Sequence, residues 1–365
     1  MSERILTPAQ RAAKRRRLWK KFFWRRIAIL SLLAAMVVTL TVVGVELIIP
    51  DQPPMVETPE LPDLSGEPEE PETPLVEVAY PTADEKTVTL GSEVDATYAV
   101  LVDVTTGRIV AQKGANVRSY PASITKMMTL LVAVENAEDL SATYEMPFEL
   151  LNELYIQQAS VAGFATGEKV TVTDMLYGCI LPSGADATIG LANLLAGDEP
   201  AFAKLMNERV KSLGLKDTHF TNTSGLHDAD HYTTVTDMAV ILMAAMQNPL
   251  CKEVLSTYKY VTAKTDQHPD GIELYSTLFS RMYGTEPEGA TVIAGKTGYT
   301  TEAGHTMASY AKGDDGHDYV FVTMGGSNRW KATYDCIDVL TDFFGPDSAE
   351  GETISTQADT TEVAE

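Results

Sequence analysis

From Ile27 to Ile49 the chain reads IAILSLLAAMVVTLTVVGVELII, 23 residues in which Glu46 is the one charge. At about 1.5 Å per residue such a run crosses about 30 Å of hydrocarbon. It exceeds the roughly 7–15 apolar residues of a cleavable signal peptide, so the expectation is an uncleaved membrane-spanning helix. Residues 1–26 carry ten Lys/Arg against Glu3 alone, a dense signal for the cytoplasmic side. Everything after residue 49 is therefore expected outside the cytoplasm. That remainder holds 18 basic and 49 acidic residues within an overall net charge of −23. A nucleic-acid partner is argued against, because phosphate binding needs clustered positive charge.

The apolar run also divides the chain. Residues 50–85 contain nine prolines and many glutamates, a composition that stays extended and builds no core. They read as a spacer between membrane and domain. Residues 346–365 hold six acidic residues and no basic one, and read as a disordered tail. The foldable part is 86–345, enough for one large domain. Within it, TYAVLVDVTTGRIVAQ reads as two strands joined by a Thr-Gly turn. From Ser123 onward Met127, Met128, Leu130, Leu131 and Val134 recur at helical spacing, and 175–195 and 235–246 are rich in apolar helix formers. After Ala290 strands return as TVIAGKTGYT, HTMASYAK and DYVFVTMGG, with a GDDG turn and a last helix over 331–344. This order predicts an α+β fold: an antiparallel sheet built from both chain ends, flanked by helices, with a helical subdomain inserted between them.

Cys179, Cys251 and Cys336 form no CxxC pair, so they give neither a disulfide framework nor a zinc spacing, and free thiols are expected. His227, Asp228, Asp230 and His231 cluster as HDADH, which matches no helical zinc pair. They read as polar loop residues, and no metal is assigned.

Chemistry enters at Pro121-Ala122-Ser123-Ile124-Thr125-Lys126, where a helix begins and one turn stacks the Lys126 ammonium beside the Ser123 hydroxyl. A lysine acts as a base only if burial or a second cation lowers its pKa, and Lys296 is a candidate cation. Alone, this pair is read more simply as a capping serine and a solvated lysine. Two further motifs follow: Ser183-Gly184-Ala185 at a turn entering an apolar helix, and Lys296-Thr297-Gly298-Tyr299 on a strand. They stand 60 and 113 residues apart in order.

The trio resembles the SxxK, Ser-x-Asn and Lys-Thr-Gly set of penicillin-binding proteins and class A β-lactamases. PASITKMMTLLVAVE, PSGADA, GLKDTHFTNTSGLHDADHYTTVTDMA and KTGYTTEAGHTMASYA look like the low-molecular-mass penicillin-binding proteins that are serine D-alanyl-D-alanine carboxypeptidases. The resemblance covers roughly 86–345 and implies a β-lactamase/transpeptidase-like fold and no cofactor. It implies that Ser123 attacks the carbonyl between two D-alanines, with Lys126 taking its proton. Ser183 relays a proton to the leaving amine, Lys296 supplies positive potential, and Thr297 and Gly298 lie against the substrate, Thr297 bonding its carboxylate. Backbone N–H groups of Ser123 and Tyr299 form the oxyanion hole. A second cation beside Thr297 is expected, with Arg329 the candidate and Lys331 the fallback. The implied partners are a peptidoglycan stem peptide ending in D-Ala-D-Ala, β-lactams as inhibitors, and the membrane through the N-terminal helix.

One position departs from the pattern. Ala185 stands where the motif usually has Asn, and Asn222 is a candidate to replace the missing amide. The family's β-rich C-terminal domain and amphipathic C-terminal anchor find no counterpart after Phe344, and the N-terminal helix is expected to take the anchor's place. A class A β-lactamase needs a carboxylate base between the second and third motifs; Glu149 precedes Ser183 and does not fit. A silent cell-wall scaffold is the other alternative, against which stand the retained Ser123, Lys126, Ser183, Lys296, Thr297 and Gly298. A transpeptidase differs only in which nucleophile meets the acyl-enzyme.

Overall fold

The computed structural model describes residues 78–346 and Ser348. The basic segment 1–26, the expected membrane helix 27–49 and most of the spacer and tail lie outside the described residues. Among the described residues no single helix is long and apolar enough to cross a membrane.

The centre is a six-stranded sheet in the order β1-β3-β2-β10-β9-β8. Its strands are β1 (Val88–Thr89), β2 (Tyr98–Asp103), β3 (Arg108–Lys113), β8 (Ala290–Thr300), β9 (Gly304–Gly313) and β10 (Asp318–Gly326). All neighbours are antiparallel except β1 with β3. The two ends of the chain meet where β10 pairs with β2, Phe321 opposite Leu101. Strand side chains alternate between faces, and here both faces are covered. Val100 and Val102 of β2 pack into the core shared with the helical middle. Ala99 and Leu101 pack with Ala332, Cys336, Val339 and Leu340 of the last helix. Burying each large apolar side chain of this kind contributes about 1.5–3 kcal/mol.

The inserted part comprises α1 (Lys126–Asn136), α2 (Phe148–Ile156), α3 (Val172–Ile180), α4 (Ala185–Ala196), α5 (Glu199–Ser212), α6 (Val235–Gln247) and α7 (Pro249–Ser256), with small two-stranded sheets β4–β5 (Thr143–Glu145, Lys169–Thr171) and β6–β7 (Lys259–Val261, Glu273–Tyr275). Residues 235–246 of α6 are all buried, as expected of a helix apolar around its circumference. Thr171, Thr234 and Asp198 cap α3, α6 and α5 by accepting from backbone N–H groups. A short helix α8 (Thr277–Met282) precedes β8, and α9 (Arg329–Phe344) closes the chain. Asp335 of α9 accepts from the N–H groups of Asp95 and Ala96 at 3.0 and 2.9 Å, which fastens the entry of β2 to the last helix.

The folded region begins before residue 86. Pro81 is buried, Thr82 bridges to Arg108, and Tyr80 donates to Asp237 at 2.8 Å. Residues 78–85, spacer by composition, pack on the domain. All three cysteines are free and buried.

Candidate active site

Ser123 lies in a tight helical turn, Ala122–Thr125, that feeds directly into α1. Three contacts fix this turn. Thr306 of β9 donates to the carbonyl of Pro121 at 3.0 Å. Gly225, at φ +79°, passes so close that a Cβ there would lie 1.9 Å from the Ala122 carbonyl oxygen. Gly298 of β8 passes on the other side, where a Cβ would lie 2.6 Å from the Ser123 nitrogen. Ala122 itself holds φ +49°, a strained conformation for a residue with a Cβ. The strain sits next to the proposed nucleophile.

Lys126 is almost wholly buried, and its Nζ donates to Ser123 Oγ at 3.2 Å and to the Ser224 carbonyl at 2.5 Å. Burial lowers its pKa to about 8. Of the two causes the sequence left open, burial or the Lys296 cation, burial is the dominant one. Lys296, on β8, is equally buried, and burial followed by the nearby Lys126 charge holds it well below the usual lysine range. Its Nζ donates to the Thr297 carbonyl at 2.7 Å. Cys179 lies behind both lysines, its thiol pushed up to about 12 by burial, so it stays neutral and is no competing nucleophile.

Ser183 occupies a left-handed position, φ +68°, in the turn before α4. Its buried Oγ has no hydrogen-bond partner among the described residues. Asp186, one turn on, is fully buried and accepts from the N–H groups of Ala162, Gly163 and Ala187 at 2.7, 3.1 and 2.9 Å. It ties α4 to the loop after α2. Burial pushes its carboxyl up, against the hydrogen bonds that favour the ionised form.

These groups line one cleft of about 230 Å³. Ser123, Lys126, Ser183 and Ala185 line it together with Gln158, Ala159 and Ser160 from the end of α2 and Thr297 to Thr300 of β8. The structure thus brings together Ser123, Lys126, Ser183, Lys296, Thr297, Gly298 and Tyr299, as the motifs predict.

It does not bring Arg329 or Lys331 into the cleft lining. Both begin α9 and are exposed, and the Arg329 guanidinium lies 5.3 Å from the Trp330 ring. Among the described residues, the arginine that lines the cleft is Arg281 of α8. Thr277, one turn before it, shares a hydrogen bond with Thr297 at 2.9 Å, so a single face of α8 places both residues. Burial and the nearby Arg329 charge lower the Arg281 pKa. No pattern singles out Arg281 in the sequence, since α8 is too short for a periodic signal.

Asn222 does not replace the missing amide either. Its Oδ1 accepts from Gly225 N at 2.8 Å and its Nδ2 donates to the Leu226 carbonyl at 2.9 Å. It shapes the loop that presents the Ser224 carbonyl to Lys126. His231, from the HDADH cluster, is buried; its Nδ1 accepts from Thr221 N at 3.1 Å and its Nε2 meets Thr125 Oγ1 at 2.8 Å. Burial lowers its pKa to about 4, so it is a neutral brace for the Ser123 turn. The neighbours diverge: Asp228 accepts from Asp230 N and His227 packs edge-on against Tyr120. Among the described residues no group of three or more side chains is arranged for a metal ion.

The sequence model of the D-alanyl-D-alanine carboxypeptidases, Peptidase_S11, matches residues 83–328. The chain is 32% identical over 219 residues to the D-alanyl-D-alanine carboxypeptidase DacF of Bacillus subtilis (strain 168), covering 60% of this chain and 54% of that one. It is 31% identical over 226 residues to DacA of Escherichia coli (strain K12), covering 60% and 53%. The chain spans about half the length of these curated relatives. Among solved structures, the Streptomyces K15 DD-transpeptidase matches with a TM-score of 0.60 at 27% identity, over 67% of this chain and 94% of that one. Penicillin binding protein 5 from Haemophilus influenzae matches with a TM-score of 0.60 at 26% identity, over 68% and 70%. The expected β-lactamase/transpeptidase-like α+β fold is the observed one.

Proposed function

Because the chain belongs to the D-alanyl-D-alanine carboxypeptidase family whose sequence model covers residues 83–328, we propose that it removes the terminal D-alanine from peptidoglycan stem peptides through an acyl-enzyme on Ser123. The observation that carries this reading is the buried Lys126 Nζ at 3.2 Å from Ser123 Oγ. A lysine with a pKa near 8 is a base matched to neutral pH. Lys126 takes the Ser123 proton as Oγ attacks the carbonyl between the two D-alanines. The oxyanion is held by the N–H groups of Ser123 and Tyr299, which the close approach of Gly298 sets side by side. Ser183, whose Oγ has no partner among the described residues, gives its proton to the departing amine and takes up the one held by Lys126, and D-alanine leaves. Water then attacks the ester and returns the proton to Ser123.

Thr297 and Arg281 receive the substrate's C-terminal carboxylate, whose negative charge favours the protonated, positive form of Lys296 next to Thr297. Arg281 takes the role the sequence gave to Arg329, because Arg281 lines the cleft beside Thr297 and Arg329 does not. A β-lactam presents the same carboxylate and a strained carbonyl, and is expected to acylate the same serine.

The apolar run 27–49 and the basic segment before it support a location at the membrane for this activity. Residues 27–49 anchor it in the cell membrane with residues 1–26 in the cytoplasm, and the proline-rich segment carries the domain towards the wall. Protease added outside intact cells should then remove the domain and leave the N-terminal segment protected; protection of the domain contradicts this placement. The activity is tested by D-alanine release from a peptide ending in D-Ala-D-Ala, using the full-length chain in detergent. Release by wild type and none by Ser123→Ala supports the reading; equal rates contradict it.

A further inference from the structure

Gln158 holds φ +54° at the end of α2. The backbone there forms the double-bonded helix ending that favours glycine: Gln158 N donates to the Tyr155 carbonyl at 3.1 Å and Ala159 N to the Leu154 carbonyl at 3.0 Å. A glutamine therefore sits where glycine would fold without strain. Its carboxamide makes no hydrogen bond among the described residues, whereas the adjacent Gln157 donates to Glu153 at 3.1 Å. The strain has no visible structural return.

The location supplies one. Gln158 lines the cleft, as does Ala185, and Ala185 N donates to the Ser160 carbonyl at 2.7 Å, so the two segments are adjacent. β8, which lines the same cleft through Thr297 to Thr300, is an edge strand with no partner strand on its outer side among the described residues. A peptide extended along that edge satisfies half of its backbone groups there and turns the other half away from it. At 185 the cleft lining offers only a methyl group.

We propose that the Gln158 carboxamide hydrogen-bonds the backbone amide of the stem-peptide residue preceding the scissile bond, taking the place of the amide that residue 185 lacks. The inference rests on the carboxypeptidase reading. An amide both donates and accepts, which is what a backbone amide requires.

The test uses full-length wild type, Gln158→Gly, Gln158→Glu and Gln158→Gly with Ala185→Asn. Gln158→Gly removes the strain and the amide together, so its melting temperature should equal or exceed wild type while kcat/KM on a D-Ala-D-Ala peptide falls about tenfold. Gln158→Glu keeps the shape and should also lose activity. Ala185→Asn should restore most of the loss in the glycine background. Acylation by benzylpenicillin, which carries a side-chain amide, should slow in Gln158→Gly, while acylation by 6-aminopenicillanic acid, which has a bare amine there, should not change. An active wild type with Gln158→Gly and Gln158→Glu within twofold of it overturns this inference alone; a wild type that releases no D-alanine overturns the carboxypeptidase reading and this with it.

Discussion

Two buried lysines and one unpartnered serine hydroxyl define the chemistry at the residue scale. Lys126, with a pKa near 8, is mostly protonated at pH 6, so the rate of acylation should rise about tenfold per pH unit below 8 and level off above it. Benzylpenicillin acylation measured from pH 5.5 to 9.5 checks this, and a flat profile would contradict lysine as the base. Stability carries the matching sign. The folded-state pKa lies below the roughly 10.4 of an unfolded lysine, so the folded chain binds fewer protons and gains stability as pH climbs from 8 towards that value. Lys126→Met should show less of that gain in thermal melts across the window. Arg281→Gln should cost about 1–3 kcal/mol in kcat/KM on a peptide with a free carboxylate, against little change for Arg329→Gln; steady-state kinetics on both variants decides between them. Ser123, Lys126, Ser183, Lys296 and Thr297 could be read from the sequence because each motif is local, a turn or a strand with fixed spacing. Arg281 could not, because what places it is the Thr277 to Thr297 hydrogen bond, a contact between elements that leaves no mark along the chain.

At the scale of elements, the nucleophile is positioned by two backbones that press on its turn. Gly225 and Gly298 make that possible, and a Cβ at either meets backbone atoms. Gly225→Ala should lose about 3 kcal/mol or more, from the left-handed φ and the clash with Ala122 together, and should abolish acylation. Gly107, also left-handed at φ +71° but with nothing within 4 Å, is the control: Gly107→Ala should keep acylation and lose only the backbone cost. Melting curves with penicillin labelling separate the two. The strands of the sheet and α6 were readable because period-two alternation and continuous apolar runs are strong signals. The three-residue strands of β4–β5 and β6–β7 were not, since three residues show no period. Asn222 was misassigned because a loop amide gives no sign in sequence of whether it faces a cleft or closes its own turn.

Across the whole molecule, one sheet joins the ends of the chain and separates two apolar cores, one with the inserted helices and one with α9. Neither core is complete without the sheet, so residues 78–348 expressed alone should unfold in one cooperative transition; two separated transitions in calorimetry would show that the inserted helices fold independently. The β-α-β order along the chain announced this architecture. What the order left unsaid was the start of the domain, because Pro81 and Thr82 share the composition of the spacer and are distinguished only by their contacts with the sheet. The central claim is that this architecture delivers Ser123 as a nucleophile activated by Lys126. Intact-mass spectrometry of the full-length chain after addition of benzylpenicillin tests it most directly. A mass increase of one penicilloyl group on wild type and none on Ser123→Ala is the predicted result; an equal adduct on both, or none on wild type while the drug stays intact, would contradict it.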